Sequence, residues 1–256
     1  MPLASIEQAI EAYARGEFLV VVDDEDRENE GDLIIAADAM TPEKMNFMIR
    51  YTSGVICAPM SNDRANQLDL SLMVVENTES MRTAFTVSVD VIQDTSTGIS
   101  AADRSATVVA LANPDQVGTD FARPGHIFPL RARKGGVLKR AGHTEAAVDL
   151  CSMSGRSPVG VLCEIVNEDG TMARVPELEK FANEHNLLFI TIADLIRYRR
   201  RNEKLVEHFA EARIPTRHGE FSAHAYRSIL DEIEHVAYVL GDISEVKEPL
   251  VRVHSE

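Results

Sequence analysis

Tryptophan is absent from the 256 residues, and aromatic residues make up only 5% of them. That leaves little material for the stacking platforms that hold single-stranded nucleic acid. Cysteine is scarce too, with Cys57, Cys151 and Cys163 the only three. None forms a CxxC pair, and each lies in an apolar segment. The expectation is three reduced core residues in a cytoplasmic protein, not a disulfide framework. Positive charge is outnumbered, since 26 Lys and Arg against 41 Asp and Glu leave a net charge of −15. This disfavours a broad nucleic-acid or anionic-membrane surface but still allows one small basic pocket. No apolar run is long enough to cross a membrane, and the first residues lack the basic-then-apolar pattern of a secretory signal. GxGxxG, P-loop and GxSxG patterns are missing, so nucleotide hydrolysis by a P-loop and serine esterase chemistry have no support.

What is present in excess is carboxylate, and it is concentrated. Phe18-Leu19-Val20-Val21-Val22 reads as a buried strand. Directly after it comes Asp23-Asp24-Glu25-Asp26-Arg27-Glu28-Asn29-Glu30-Gly31-Asp32. Carboxylates packed at one strand end repel one another unless a cation shares the space. A hard divalent ion with oxygen ligands, such as Mg²⁺, is the expected solution. A solvated acidic loop is the commoner fate of acidic runs. Against it stand Arg27 in mid-run and Gly31, which permits a tight turn. Gly31 is misplaced for an EF-hand.

The remaining chain alternates helix and strand signals. Helices are expected over 5–15, 41–51, 100–111, 144–153, 176–184 and 194–209. Strands are expected over 18–23, 33–37, 55–58, 85–90, 126–130, 159–166 and 187–192. This interleaving predicts an α+β domain, a three-layer sandwich with a mixed sheet between helices, over residues 1–206. Composition then shifts. Segments 221–230 and 233–240 read as β, and 207–256 looks like the opening of a second domain, too short for an independent core.

Three further constellations could carry chemistry. Arg140-Ala141-Gly142-His143-Thr144 stands at a helix start, where backbone N–H groups, the helix dipole, Arg140 and the Thr144 hydroxyl would suit a phosphate. An ordinary capped helix explains the same residues equally well. Glu164 sits inside an apolar strand, where a charge needs a partner or a purpose. His126 at another strand start is a candidate acid–base group or a hydrogen-bonded imidazole at a sheet end. Asp94 to Ser100 leads into another helix start and is either a second polar wall of the same cleft or a capped loop, the loop being the simpler reading.

Together these residues resemble 3,4-dihydroxy-2-butanone 4-phosphate synthase. The likeness rests on residues 23–33, on Gly98-Ile99-Ser100-Ala101-Ala102-Asp103-Arg104, on Arg123-Pro124-Gly125-His126-Ile127-Phe128-Pro129-Leu130, and on Arg140 to Ala146. It implies a riboflavin-pathway lyase that converts D-ribulose 5-phosphate to L-3,4-dihydroxy-2-butanone 4-phosphate and formate. The ion is Mg²⁺, with Mn²⁺ as an alternative. By resemblance Glu28 and His143 bind the metal. The substrate contacts are Arg27, Glu28, Asp32, Arg140, Ala141, Gly142, His143, Thr144 and Glu164. His126 and Glu164 are the essential groups, Cys57 occupies the position of an active-site cysteine, and Asp32 and Glu30 are further proton carriers. The family is usually a homodimer with two sites at its interface. Segment 76–83 lacks glycine where relatives often have a looser loop. The tail resembles the start of GTP cyclohydrolase II through residues 221–226 and Arg252-Val253-His254-Ser255-Glu256, the last stretch being a nucleotide contact in that family. No cysteine follows Cys163, so zinc and cyclohydrolase activity are not expected. Two other readings use similar parts. A metal-dependent sugar-phosphate isomerase or aldolase would release no formate, and a non-catalytic cation-binding module would bind without turnover.

Overall fold

The computed structural model describes residues 3–244 and 246–254. It divides into two compact units, one ending at Arg201 and the other beginning at Asn202.

The first unit contains α1 (Ile6–Ala14), β1 (Leu19–Val22), β2 (Gly31–Ala36), α2 (Pro42–Tyr51), β3 (Cys57–Met60), α3 (Asn62–Gln67), β4 (Val89–Val91) and α4 (Ala101–Ala112). Then come β5 (Phe121–Arg131), α5 (His143–Met153), β6 (Gly160–Glu164), α6 (Val175–His185), β7 (Leu188–Thr191) and α7 (Ile192–Asn202). Seven strands form one sheet in the order β4-β5-β3-β6-β2-β1-β7. The pairs β1–β7 and β3–β5 are parallel and the others antiparallel, so the sheet is mixed.

Strand alternation explains the layers. Val20, Val22, Leu33 and Ile35 point to one face and pack with Met45 and Met48 of α2, Val108 and Leu111 of α4, and Leu178 of α6. Leu19, Val21, Ile34 and Ala36 point to the other and pack with Ile6 and Ala9 of α1, Ala146 and Leu150 of α5, and Leu195 of α7. Both faces are covered, which is why the central strands read as unbroken apolar runs. The expected helix–sheet–helix sandwich is therefore what the chain forms. Local caps set the helix starts: Ser5 forms a capping box with Gln8, and Thr41 precedes a first-position proline.

Some elements differ from expectation. The strand expected over 85–90 is regular only at Val89–Val91, while Phe85 and Thr86 make isolated bridges. The short strand expected at 126–130 is the end of an eleven-residue one. Helix α3 is an addition: its six residues carry no clear apolar period, and Ser61 caps its start. The last helix stops at Asn202, and the run after it is strand, not helix. Ala210, Glu211 and Ala212 favour helix locally, but cross-strand pairing overrides that preference.

The second unit is a three-stranded antiparallel sheet of β8 (Val206–Thr216), β9 (Gly219–Ser228) and β10 (Glu234–Leu240), in the order β10-β9-β8.

Candidate active site

The acidic motif is the eight-residue connection of the β1–β2 hairpin. Asp23 organises it. Its carboxylate accepts from the backbone N–H of Glu30 at 3.0 Å and of Glu28 at 3.2 Å, and from the Arg27 guanidinium at 2.7 Å. Arg27 also bonds the Glu28 carboxylate. From the far side Arg174 donates to the Glu28 carbonyl at 3.0 Å and to that of Asn29. The run is thus a folded loop with its own internal donors, and Asp23, not singled out from the sequence, is its anchor.

Register brings the next carboxylates together. Asp32 on β2 lies directly opposite Glu164 on β6. Opposed residues of an antiparallel pair share a face. Helix α5 then places His143 over the β1–β2 edge. Its Nε2–H donates to the Val21 carbonyl at 3.1 Å. That bond leaves Nδ1 facing Glu28 Oε2 at 3.8 Å and Asp32 Oδ1 at 3.9 Å. Asp32 Oδ1 is buried, and among the described residues it has no hydrogen-bond partner.

This crowding shifts the ionisations in linked ways. Burial pushes Asp32 up to about 7; the neighbouring His143 opposes the shift, and Glu164, Glu28 and Glu30 reinforce it. For His143, burial disfavours the cation, but Asp32, Glu28 and Asp23 outweigh it and hold the imidazole at about 9. Glu28 is lowered, chiefly by its bond to His143 and despite burial. Glu30 is raised by burial and by Glu28. The lowered Glu28 suits a ligand that stays ionised, and the raised Asp32 and Glu30 suit proton carriers.

Beside this cluster opens a cavity of about 200 Å³. Its lining includes Arg27, Glu28, Glu30, Asp32, Cys57, Arg140, His143, Thr144 and Glu164. Sequence reasoning missed Glu79, Thr83 and Phe85, which complete one wall. Ala141, Gly142 and His126 are not on the lining. His126 Nδ1 instead meets Asp90 Oδ2 at 2.7 Å, and its backbone N–H donates to Asp90 Oδ1 at 2.8 Å. Gly98, at φ +86°, closes over this pair; a Cβ there would stand 2.0 Å from Asp90 Oδ2. The loop 94–100 is tied down by Asp103, whose carboxylate accepts from the N–H groups of Ser96 and Gly98.

Arg140 reaches the cavity already engaged. It donates to Glu145 Oε2 at 2.8 Å, to Thr83 Oγ1 at 2.9 Å and to the Met81 carbonyl at 3.3 Å. Gly142 lets the Arg140–Glu145 pair pass, since a Cβ there would lie 2.3 Å from the guanidinium. The expected bidentate phosphate partner is thus also the brace of segment 79–83. That glycine-free segment is held further by Glu79, kept at about 2 by the N–H groups of Met81 and Thr83.

Glu164 is half-buried at the strand end and accepts from Ser53 Oγ at 2.7 Å. Cys57, Cys151 and Cys163 are free and buried. Burial, and then Glu164, raise the Cys57 thiol well above its usual range. It lines the cavity as a thiol that burial holds against ionisation.

Asp23, Glu28 and His143 bring one ligand atom each within 4.8 Å of one another. The donor set fits a divalent ion. Carboxylate oxygens converge with a histidine nitrogen whose other nitrogen is fixed by a backbone carbonyl, the usual arrangement of a ligating imidazole. An orphaned buried oxygen on Asp32 stands beside them. Among the described residues no helix is long and apolar enough to cross a membrane. Arg252, Val253 and His254 are exposed and outside regular structure. Ser255 and Glu256 lie outside the described residues.

Comparison with known proteins gives the family that this chain is similar to. The family model of 3,4-dihydroxy-2-butanone 4-phosphate synthase matches residues 7–198, and that of GTP cyclohydrolase II matches residues 207–256. The chain is 59% identical over 252 residues to the riboflavin biosynthesis protein RibBA of Salinispora arenicola, covering 98% of this chain and 60% of that one. It is 58% identical to the monofunctional riboflavin biosynthesis protein RIBA 2, chloroplastic, of Arabidopsis thaliana, covering 99% of this chain and 54% of the relative. The chain thus spans little more than half the length of these relatives. Among solved structures, RibBX, a two-domain 3,4-dihydroxy-2-butanone 4-phosphate synthase from A. baumannii, matches with TM-score 0.84 and 45% identity over 94% of this chain and 71% of its own. A 3,4-dihydroxy-2-butanone 4-phosphate synthase in complex with two magnesium ions matches with TM-score 0.76 and 46% identity over 78% of this chain and 98% of its own. With that match across three quarters of its length, the chain belongs to the 3,4-dihydroxy-2-butanone 4-phosphate synthase family.

Proposed function

We propose that this chain converts D-ribulose 5-phosphate to L-3,4-dihydroxy-2-butanone 4-phosphate and formate, as a Mg²⁺-dependent lyase of riboflavin biosynthesis. The observation that carries this reading is the meeting of Glu28 and Asp32 at His143 Nδ1, with Glu164 opposite Asp32 on the same face. Family membership supports it.

Glu28 and His143 would hold the ion, with Asp23 fixing their loop. When bound, the ion supplies Lewis-acid stabilisation of the negative charge that enolisation builds on a sugar oxygen. Mn²⁺ prefers similar donors and is the alternative. The chain's own groups do the rest. Asp32, pushed up to about 7 by burial in the metal-free chain, is the candidate to take a proton from carbon beside the carbonyl and return it. Glu164, anchored by Ser53, and Glu30 are the neighbouring carriers for the later transfers. Thr144 and the first N–H groups of α5 face the phosphate end, where the helix dipole favours an anion. Arg27 and Arg140 balance the charge of the phosphate and hold the cavity walls. Fixing both ends of the sugar lowers the entropic part of the barrier.

His126 lies off its own cavity, and its side chain is 41% exposed. Both facts favour a homodimer in which His126 serves the partner's site. Mixing a His126→Ala chain with a Glu28→Ala chain should then restore formate release that neither shows alone. Failure of mixed dimers to recover any turnover removes this role. We further infer residence in the cytoplasm, domains of 1–206 and 207–256, and contact of neither nucleic acid nor membrane. Arg252 to Glu256 are nucleotide contacts of the cyclohydrolase-like part.

The direct test is incubation of the chain with ribulose 5-phosphate and Mg²⁺, followed as formate. Release that stops with chelator and returns with Mg²⁺ is expected. Product without formate would mark an isomerase or aldolase, and binding without product a non-catalytic module.

A further inference from the structure

The second unit carries metal-ligating side chains that the lyase chemistry does not use. A bulge in β8 brings them together. His208 pairs with Tyr226, yet the next ladder pair is Ala210 with Ala225, so Phe209 is an extra residue on β8. Residues three apart on a regular strand face opposite sides. Across a bulge the parity changes, and His208 and Glu211 come to the same side. Glu211 pairs with His224, which shares its face with Tyr226 two residues on. As a result His208, Glu211 and His224 each bring one ligand atom within 4.8 Å of the others. His224 Nδ1 is 3.7 Å from Glu211 Oε2, and the rings of His208 and His224 are 5.4 Å apart.

We propose that His208, Glu211 and His224 form a binding site for a borderline divalent ion of the Zn²⁺ type. Two imidazoles and a carboxylate are donors that such ions accept and that Mg²⁺ does not favour. Three protein ligands leave one position for water. The earlier expectation that zinc has no place here rested on cysteine, and these donors need none. The fold supplies a purpose as well. None of the described residues from Asn202 to His254 is buried. An ion held by residues of both strands ties β8 to β9.

The test uses the whole chain, stripped with chelator and returned to excess Mg²⁺ to keep the Glu28–His143 cluster occupied. Zn²⁺ is then added and the tightly held ion counted after gel filtration. One equivalent per chain is expected beyond whatever the double variant His208→Ala/His224→Ala retains. Glu211→Gln should weaken the affinity by at least the roughly tenfold that loss of even an outer-shell partner costs. Long-range ¹H–¹⁵N spectra should show the His208 and His224 imidazoles shifting together as Zn²⁺ binds. Formate release should be unchanged in the double variant. Equal Zn²⁺ retention by the double variant and the parent chain, or imidazoles that stay unshifted, would overturn the site without touching the lyase reading.

Discussion

His143→Ala should lower formate release by at least roughly 10²–10³-fold, the cost of removing a single charge-stabilising group from a site. The ring is nearly buried, with 6% of its side chain exposed. Its Nε2 is committed to the Val21 carbonyl, and its Nδ1 is the point on which Glu28 and Asp32 converge. Alanine removes the nitrogen ligand and also the positive charge that three carboxylates share in the metal-free chain. Breaking a buried pair in this way costs about 3–5 kcal/mol. The variant should therefore melt earlier as well as turn over less. Glu28→Ala separates the two effects. Its side chain is 30% exposed, so the fold should lose less while the activity falls as far. Formate assay and thermal melting of both variants decide the point. A folded variant with near-normal formate release would exclude Glu28 and His143 as the metal ligands.

Asp32→Asn should also abolish turnover, and it should change how stability depends on pH. Asp32 binds its proton more tightly folded, at about 7, than its ordinary 3.8. A raised pKa gives stability that is complete at low pH and is lost as pH rises between those values. His143, raised from 6.5 to about 9, extends the same trend to alkaline pH. In chelator the parent chain should therefore lose a few kcal/mol of stability from pH 4 to pH 9 on account of these two groups. Asparagine removes the lower part of that slope. Bound Mg²⁺ should reverse the trend, because the ion competes with the proton on His143 and binds better as pH rises. Melting curves across this range, with chelator and with Mg²⁺, give the slopes. An Asp32→Asn chain with the parent's slope below pH 7 would show that Asp32 is not the raised group.

Much of the architecture was legible because the central strands announce themselves. Leu19 to Val22 and Leu33 to Ala36 are apolar on both faces, which only a covered sheet explains. The acidic run marked the strand end where the cavity opens. What the residues alone left open was register. No pattern in the sequence says that Asp32 stands opposite Glu164, since that follows from pairing across more than a hundred residues. Asp23 was overlooked because its work is done through backbone N–H groups within one loop. Arg140 read as a candidate phosphate partner; its pairing with Glu145 joins the loop before α5 to the helix across five residues, a spacing that no helical rule announces. The bulge that moves His208 and Glu211 to one face had no sequence signal at all. The helix expected to run to Phe209 fails for a related reason: ladder partners on β9, distant in pattern if not in number, decide its state.

The most direct measurement is a Mn²⁺ soak of crystals of the whole chain, read as anomalous difference density. A peak bonded to the Glu28 carboxylate and to His143 Nδ1, absent from crystals of His143→Ala, is the expected result. Density confined to other residues, with Glu28 and His143 left bare in the parent chain, would contradict it.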